Sequence, residues 1–354
     1  MKLEVLNEIG IRKISLRLES FWWMTRPGFS NAAILMSVAG LLSFYKTNPP
    51  YTHVAGLAIV IGMLGSSIVI LNDLLDQDDD EVTAPYLPLP AGLLNRDEAK
   101  LGFAILITLC LICLNYVIQD PFKFLSASIL VVIALLTSAA YCIFKNTGFL
   151  ASLLMSVPYI VFALIGYIVG DGNIRYITTN LETIVVVISS FLISFSGNIL
   201  AGLRDIDKDP LVGNQTLPVR LGSQRAFKLV VFLAAIDSAL VAWLAIRDPK
   251  AYYSLPILVI ALVLMGISFL PILRTYGEAD RGRVQRMSDM KMWLLGKDIK
   301  LIALVSVFSL PIGLALGIGL RLLRLFFQKG YKKQIIDGGL SDILATTNPL
   351  NNDS

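Results

Sequence analysis

The chain has 354 residues, 55% of them hydrophobic and only 16% charged, with a mean hydropathy of +0.70. Soluble domains carry about 25% charged residues, so this composition describes a polytopic membrane protein. A net charge of +4, with the basic residues in loops and no basic-aromatic patch, is a topology signal and argues against nucleic-acid binding.

Taken in order, residues 1–29 form an amphipathic interfacial lead-in, with Phe21, Trp22 and Trp23 as anchors beside Arg26 and Pro27. It lacks a small-residue cleavage site, so no removable signal peptide is expected. Nine apolar runs follow, at 30–45, 52–71, 99–118, 122–143, 149–169, 182–203, 227–246, 252–273 and 300–320, with lengths near the ~20 residues that span a bilayer. Residues 30–320 therefore read as one all-α transmembrane domain, and 321–354 as an interfacial and disordered tail. Cys110, Cys113 and Cys142 fall inside apolar runs and read as helix packing, because one C-x-x-C with a single histidine makes a poor zinc site. The segment Arg274–Lys300 reads as an interfacial loop capping the site.

With the N-terminus cytoplasmic, the loops on that side hold 20 of the 30 Lys and Arg, and the opposite loops hold five. The remaining five, Arg321, Arg324, Lys329, Lys332 and Lys333, follow the ninth run and stand against the positive-inside bias.

Two acidic stretches carry the chemistry. The second apolar run leads directly into Asn72-Asp73-Leu74-Leu75-Asp76-Gln77-Asp78-Asp79-Asp80. If the helix continues, Asn72, Asp76 and Asp80 share one face, with Asp73 about a quarter turn away. Carboxylates packed this closely repel one another unless a divalent cation neutralises them, and all-oxygen ligands favour magnesium, which keeps waters and bridges to phosphates. After the sixth run come Arg204-Asp205-Ile206-Asp207-Lys208-Asp209, with Asp205 and Asp209 again four apart. Two walls of this kind, opening on one face of the membrane, fit a diphosphate held by bridging metal as a leaving group. Each is followed by a turn-rich loop, Pro85–Gly92 and Pro210–Gly222, which gives a weak internal repeat.

With these motifs in register, the sequence resembles the UbiA-type intramembrane prenyltransferases. Asn72, Asp73, Asp76 and Asp80 match that family's NDxxDxxxD, Asp205 and Asp209 match its DxxxD, and Thr216–Gly222 occupies the expected place. Arg26-Pro27 and Tyr141 with Lys145 are also similar to family features. The resemblance implies nine transmembrane helices around a central cavity, Mg2+ held by Asn72, Asp76 and Asp80 and by Asp205 and Asp209, and an isoprenoid diphosphate ionised to an allylic cation. An aromatic or quinone-precursor acceptor in the bilayer would capture that cation, at a mouth on the cytoplasmic side.

Asp73 would orient or assist the first group. Lys145 and Arg26 would contact the diphosphate, against a topology cation and an interfacial anchor as their plainer roles. Tyr141 would shield the cation or position the acceptor, or only pack. Departures bear on the substrate: Ala84, Leu87 and Asn146 stand where many members carry basic residues. The Pro85–Leu89 stretch resembles the homogentisate-type branch and the Arg204–Asp209 stretch the naphthoate-type branch. A terpene cyclase on the same scaffold, in which the cation is captured by the substrate's own double bonds, is the alternative enzyme. A cation transporter is a third reading, opposed by the position of the carboxylates at one mouth and not at the bilayer midplane.

Overall fold

A computed structural model of the chain describes residues 17–26, 30–45, 49–248, 251–275 and 291–336, with side chains at 268–275, 291–292 and 326–336 outside that description. Among the described residues every regular element is helical. In chain order they are α1 (17–24), α2 (Asn31–Tyr45), α3 (Tyr51–Leu75), α4 (Gln77–Thr83), α5 (Arg96–Val117), α6 (Pro121–Ile143), α7 (Phe149–Val169), α8 (Leu181–Arg204), α9 (Leu217–Leu221), α10 (Ser223–Arg247), α11 (Ser254–Thr275), α12 (Lys291–Phe308) and α13 (Leu310–Ile336). Six of these, α3, α5, α6, α7, α8 and α10, are long and apolar enough to cross a membrane. The protein is thus a multi-pass membrane protein. Most of the lead-in, including Pro27, residues 276–290 and the end of the tail lie outside the described residues.

Local chemistry sets the helix ends. Asn95 accepts from the Glu98 N–H at 2.8 Å while the Asn95 N–H donates to Glu98 Oε2 at 2.9 Å, a reciprocal cap that starts α5. Asp120 caps α6 through the Lys123 N–H, with Pro121 in the first turn, where a missing N–H costs nothing.

The core is built around α2, which is buried continuously from Ala33 to Ser43. It lies against α7 at backbone contact: a Cβ at Gly166 would come within 1.8 Å of the Ser37 carbonyl oxygen, and one at Gly40 within 2.0 Å of that of Ala163. Helices in lipid gain little from apolar burial against one another, so close backbone approach through small residues holds this pair. The outer faces of α5 and α6 carry exposed Leu101, Ile105, Ile112, Ile129, Val132 and Leu136, the apolar surface expected toward lipid.

Two sequence expectations change here. The run 300–320 is not one helix: α12 ends at Phe308, Ser309 is non-helical and α13 begins at Leu310. Pro311 lies in the first turn of α13 and has no N–H to donate to the preceding turn, so the helical ladder is interrupted there. The two helices fold back on each other, with Gly313 against Ser306 and Gly317 against Ile302. Nor is Arg274–Lys300 a capping loop over its whole length, because Lys291 onward is helix and Trp293 is buried against Phe227 at 5.2 Å between ring centroids.

Candidate active site

The first acidic stretch nearly continues its helix. α3 ends at Leu75, Asp76 adopts φ −98° and ψ 8°, and α4 restarts at Gln77. The ladder is kept across the kink, with the Asp76 N–H bonded to the Asn72 carbonyl at 2.8 Å and the Asp80 N–H to the Asp76 carbonyl at 2.9 Å. Asn72, Asp76 and Asp80 therefore remain one turn apart, as the spacing requires. The second stretch repeats this backbone. Asp205 caps α8 with φ −106° and ψ 12°, and the Asp209 N–H bonds back to its carbonyl at 3.0 Å.

The two walls are tied together behind these residues. Asn214 Nδ2 donates to Asp79 Oδ2 at 3.0 Å, and Lys208 Nζ donates to the Thr83 carbonyl. Thr216 Oγ1 donates to Asp209 Oδ2 at 2.7 Å and orients that carboxylate. Arg220 donates to the Gln215 carbonyl at 3.0 Å and to the Asn146 carbonyl at 2.5 Å, which fastens the loop after α8 to the turn that carries Lys145.

Cations sit on both walls. Lys145 Nζ pairs with Asp76 Oδ2 and lies 3.9 Å from Asp79 Oδ2. Burial works against the Lys145 charge, and the Asp76 carboxylate more than offsets it, so the ammonium titrates above its ordinary range. Its charge also favours the ionised forms of Asp80 and Asp209. Arg26, at a positive φ of 41° that is uncommon for a non-glycine residue, donates to Asp73 Oδ1 at 2.7 Å. Asp73 is 5% exposed, and its Oδ2 is buried with no hydrogen-bond partner among the described residues. Arg204 donates to Asp205 Oδ2 through Nε at 2.9 Å. Burial, reinforced by neighbouring carboxylates, pushes Asp80 up to about 7, and burial also raises Asp76 and Asp209.

Tyr141 stands in the last turn of α6, where its hydroxyl accepts from Asn198 Nδ2 at 3.4 Å, and Asn198 Oδ1 accepts from Ser152 at 2.8 Å. Cys142 Sγ contacts Asn72 Oδ1 at 3.5 Å, so this thiol touches the first wall as well as packing. Asn198, Cys142 and Asn214 are participants to which motif reading gives no role in the site, and Thr216 and Arg220 lie in the stretch that the family resemblance places without assigning either a contact. Only Asn198 leaves a signal, as an amide seven residues before Asp205 within an apolar span.

Among the described residues no three carboxylate, histidine or cysteine groups converge into a ready-made metal cage. The donors nevertheless fit magnesium: all are oxygens, they stand on two facing walls, and neither wall alone completes a coordination sphere, leaving positions for water and phosphate oxygens. Basic groups beside both walls add the donors that phosphate recognition uses.

The profile of the UbiA prenyltransferase family matches residues 32–295. A digeranylgeranylglyceryl phosphate synthase from Saccharolobus solfataricus is 23% identical over 66% of this chain and 78% of its own length. A 1,4-dihydroxy-2-naphthoate octaprenyltransferase from Haemophilus influenzae is 25% identical over 60% and 73% of the two chains. The solved structure of a UbiA homolog from Archaeoglobus fulgidus bound to GPP and Mg2+ superposes with a TM-score of 0.55 at 17% identity, covering 80% of this chain and 99% of that one. This likeness shows the shared fold.

Proposed function

The chain belongs to the UbiA prenyltransferase family, and on that premise we propose that it moves a prenyl group from an isoprenoid diphosphate to a lipophilic acceptor inside the membrane. Crossings are assigned to α2, α3, α5, α6, α7, α8, α10 and α11, followed by the α12–α13 hairpin, around a central cavity with its mouth on the cytoplasmic side. The observation that carries the reading is the joining of two acidic stretches that share one backbone geometry, through Asn214 to Asp79 and Lys208 to Thr83, with Lys145 paired to Asp76 on the first of them.

Asn72, Asp76 and Asp80 would hold one Mg2+, and Asp205 and Asp209 the other. When bound, the metal neutralises the charge that builds on the leaving diphosphate. Lys145 and Arg26 meet the diphosphate oxygens, as a point charge and a planar fork, and Asp73 holds Arg26 in place for that contact. The bond from C1 of the prenyl chain to the diphosphate breaks heterolytically and its electron pair leaves with the diphosphate. A nucleophilic oxygen or carbon of the acceptor then bonds C1 and releases a proton. Tyr141, fixed by Asn198, presents its ring to the cation and its hydroxyl to the acceptor.

Two acceptor classes are represented among the relatives. The digeranylgeranylglyceryl phosphate synthase relatives support a glyceryl phosphate acceptor. The naphthoate enzyme supports the aromatic or quinone-precursor acceptor that the sequence led us to expect.

The test incubates detergent-purified protein with geranyl, farnesyl and geranylgeranyl diphosphates, with and without Mg2+ and each acceptor class, and identifies products by mass spectrometry. A metal- and acceptor-dependent prenylated product is expected, and Asp76→Ala or Asp205→Ala should lower its rate by about 100-fold or more with the protein still folded. A cyclic terpene formed without acceptor would replace transfer by cyclisation. Full activity in both variants would remove the metal walls from the mechanism.

A further inference from the structure

Inside the helical bundle lies a second charged cluster that the prenyl-transfer site does not use. It centres on α12, whose Lys297, Asp298 and Lys300 stand in a segment otherwise packed among apolar residues. Lys300, 3% exposed, pairs with Asp237 of α10, 0% exposed, at 2.5 Å. Asp298 is held by Arg324 at 2.9 Å and Arg321 at 3.6 Å, both from α13. Both carboxylates are thereby ion-paired, although neither buried oxygen of Asp237 accepts a hydrogen bond among the described residues. Lys297 makes no ion pair or hydrogen bond among the described residues; Asp298 attracts its charge, while Arg324 and Lys300 repel it. The cluster thus carries four cations and two anions: Arg321 and Arg324 share Asp298, Lys300 takes Asp237, and the half-buried Lys297 ammonium is left without an ion pair among the described residues.

The position of that ammonium is informative. Its Nζ lies against α8 at Gly197, 3.8 Å from where a Cβ would stand. The next residue, Asn198, is the one that fixes Tyr141 and Ser152. Gly197 is eight residues before Asp205, which at the helical rise sets Lys297 about 12 Å deeper than the second wall. Reacting atoms approach to roughly 3–3.5 Å, so a diphosphate at the walls, the bond-forming contact and one small spacer fill that depth. Glycerol or a fused aromatic ring is a spacer of this size.

We propose that Lys297 binds the acidic group of the acceptor, a phosphate or a carboxylate, and so sets which acceptors place their nucleophile at C1. The inference rests on the prenyl-transfer reading for the identity of the ligand, and on geometry alone for the existence of an anion site. An unpaired ammonium inside a membrane protein is costly to keep, and an anionic lipid head would compensate it as Asp237 compensates Lys300.

The test measures binding and turnover separately. Quenching of tryptophan fluorescence, in Mg2+-free buffer without prenyl diphosphate, reads the binding of a mono-prenylated glyceryl phosphate ether, its dephosphorylated alcohol and 1,4-dihydroxy-2-naphthoate. Wild type should bind at least one of the two anions tenfold or more better than the neutral alcohol; which one distinguishes a phosphate from a carboxylate site. Lys297→Met should abolish that preference, Lys297→Arg should retain it, and the surface control Lys100→Met should leave it alone. In turnover, Lys297→Met should lower the ratio of kcat/KM for anionic over neutral acceptors by at least tenfold. The proposal is overturned if Lys297→Met keeps the preference, if Lys297→Met and Lys297→Arg lose binding of all three compounds equally, or if wild type shows no preference. Lys297-dependent anion binding without any prenyl transfer would leave the anion site standing and remove the transfer reading instead.

Discussion

Lys145 and Arg26 neutralise Asp76 and Asp73, and the proposed function asks both to turn to a diphosphate, two roles that one set of contacts cannot fill at once. Removing either charge should therefore act first on the resting protein. Arg26→Gln leaves the 5% exposed Asp73 as an uncompensated buried carboxylate, for which a cost of about 3–5 kcal/mol is the upper range because Arg26 is itself partly exposed. Arg26→Gln combined with Asp73→Asn should recover most of that loss. Thermal unfolding in detergent, read as a double-mutant cycle, checks this; additive losses would mean that the pair contributes nothing. The aspartates of both walls were legible in the sequence because the i, i+4 spacing is local. Their cations were only candidates, since Arg26 and Asp73 are 47 residues apart and no one-dimensional pattern encodes that contact.

The elements after α3 and α8 act as acidic blades held together at a cost in electrostatics. Burial raises Asp76, Asp80 and Asp209, with Asp80 pushed up to about 7, whereas an unfolded aspartate titrates near about 3.9. The metal-free folded protein thus binds more protons than the unfolded chain across this window, and its stability falls as pH rises from about 4 through about 7. A divalent cation binds the deprotonated carboxylates only, so its affinity rises over the same range. The expected result is a Tm without Mg2+ that drops between about pH 5.5 and 8, and an Mg2+-induced Tm increase that grows over the same interval. A constant increase would show that these carboxylates do not bind the metal. The apolar runs located most of the helices, since their length and hydropathy are set by the bilayer. The first half of α12, before Lys300, reads as loop in the sequence because Lys297, Asp298 and Lys300 break its hydropathy. Their partners on α10 and α13, which make helix tolerable there, are visible only in three dimensions.

The whole molecule resolves the topology conflict in the sequence. A single crossing over 300–320 would carry Arg321 and Arg324 to the side poor in basic residues, against the positive-inside rule. Folding back at Ser309 returns them to Asp298, and Asn31, at the start of α2, donates to the Leu320 carbonyl at 3.0 Å. α2 begins beside the Arg26–Asp73 pair, so α13 ends on the face where both acidic walls open. Hydropathy could not reveal this because Leu310 and Pro311 continue the apolar composition through the turn. In a cysteine-free background, Leu211→Cys in the loop after α8 and Lys329→Cys, just over one helical turn beyond Arg324, should both react with a membrane-impermeant maleimide from one side of sealed vesicles. Tyr176→Cys, 64% exposed between α7 and α8, should react from the other. If Lys329→Cys instead labels together with Tyr176→Cys, the chain crosses once after Lys291, the hairpin is excluded, and Arg321 and Arg324 lose the position that neutralises Asp298 and leaves Lys297 in excess.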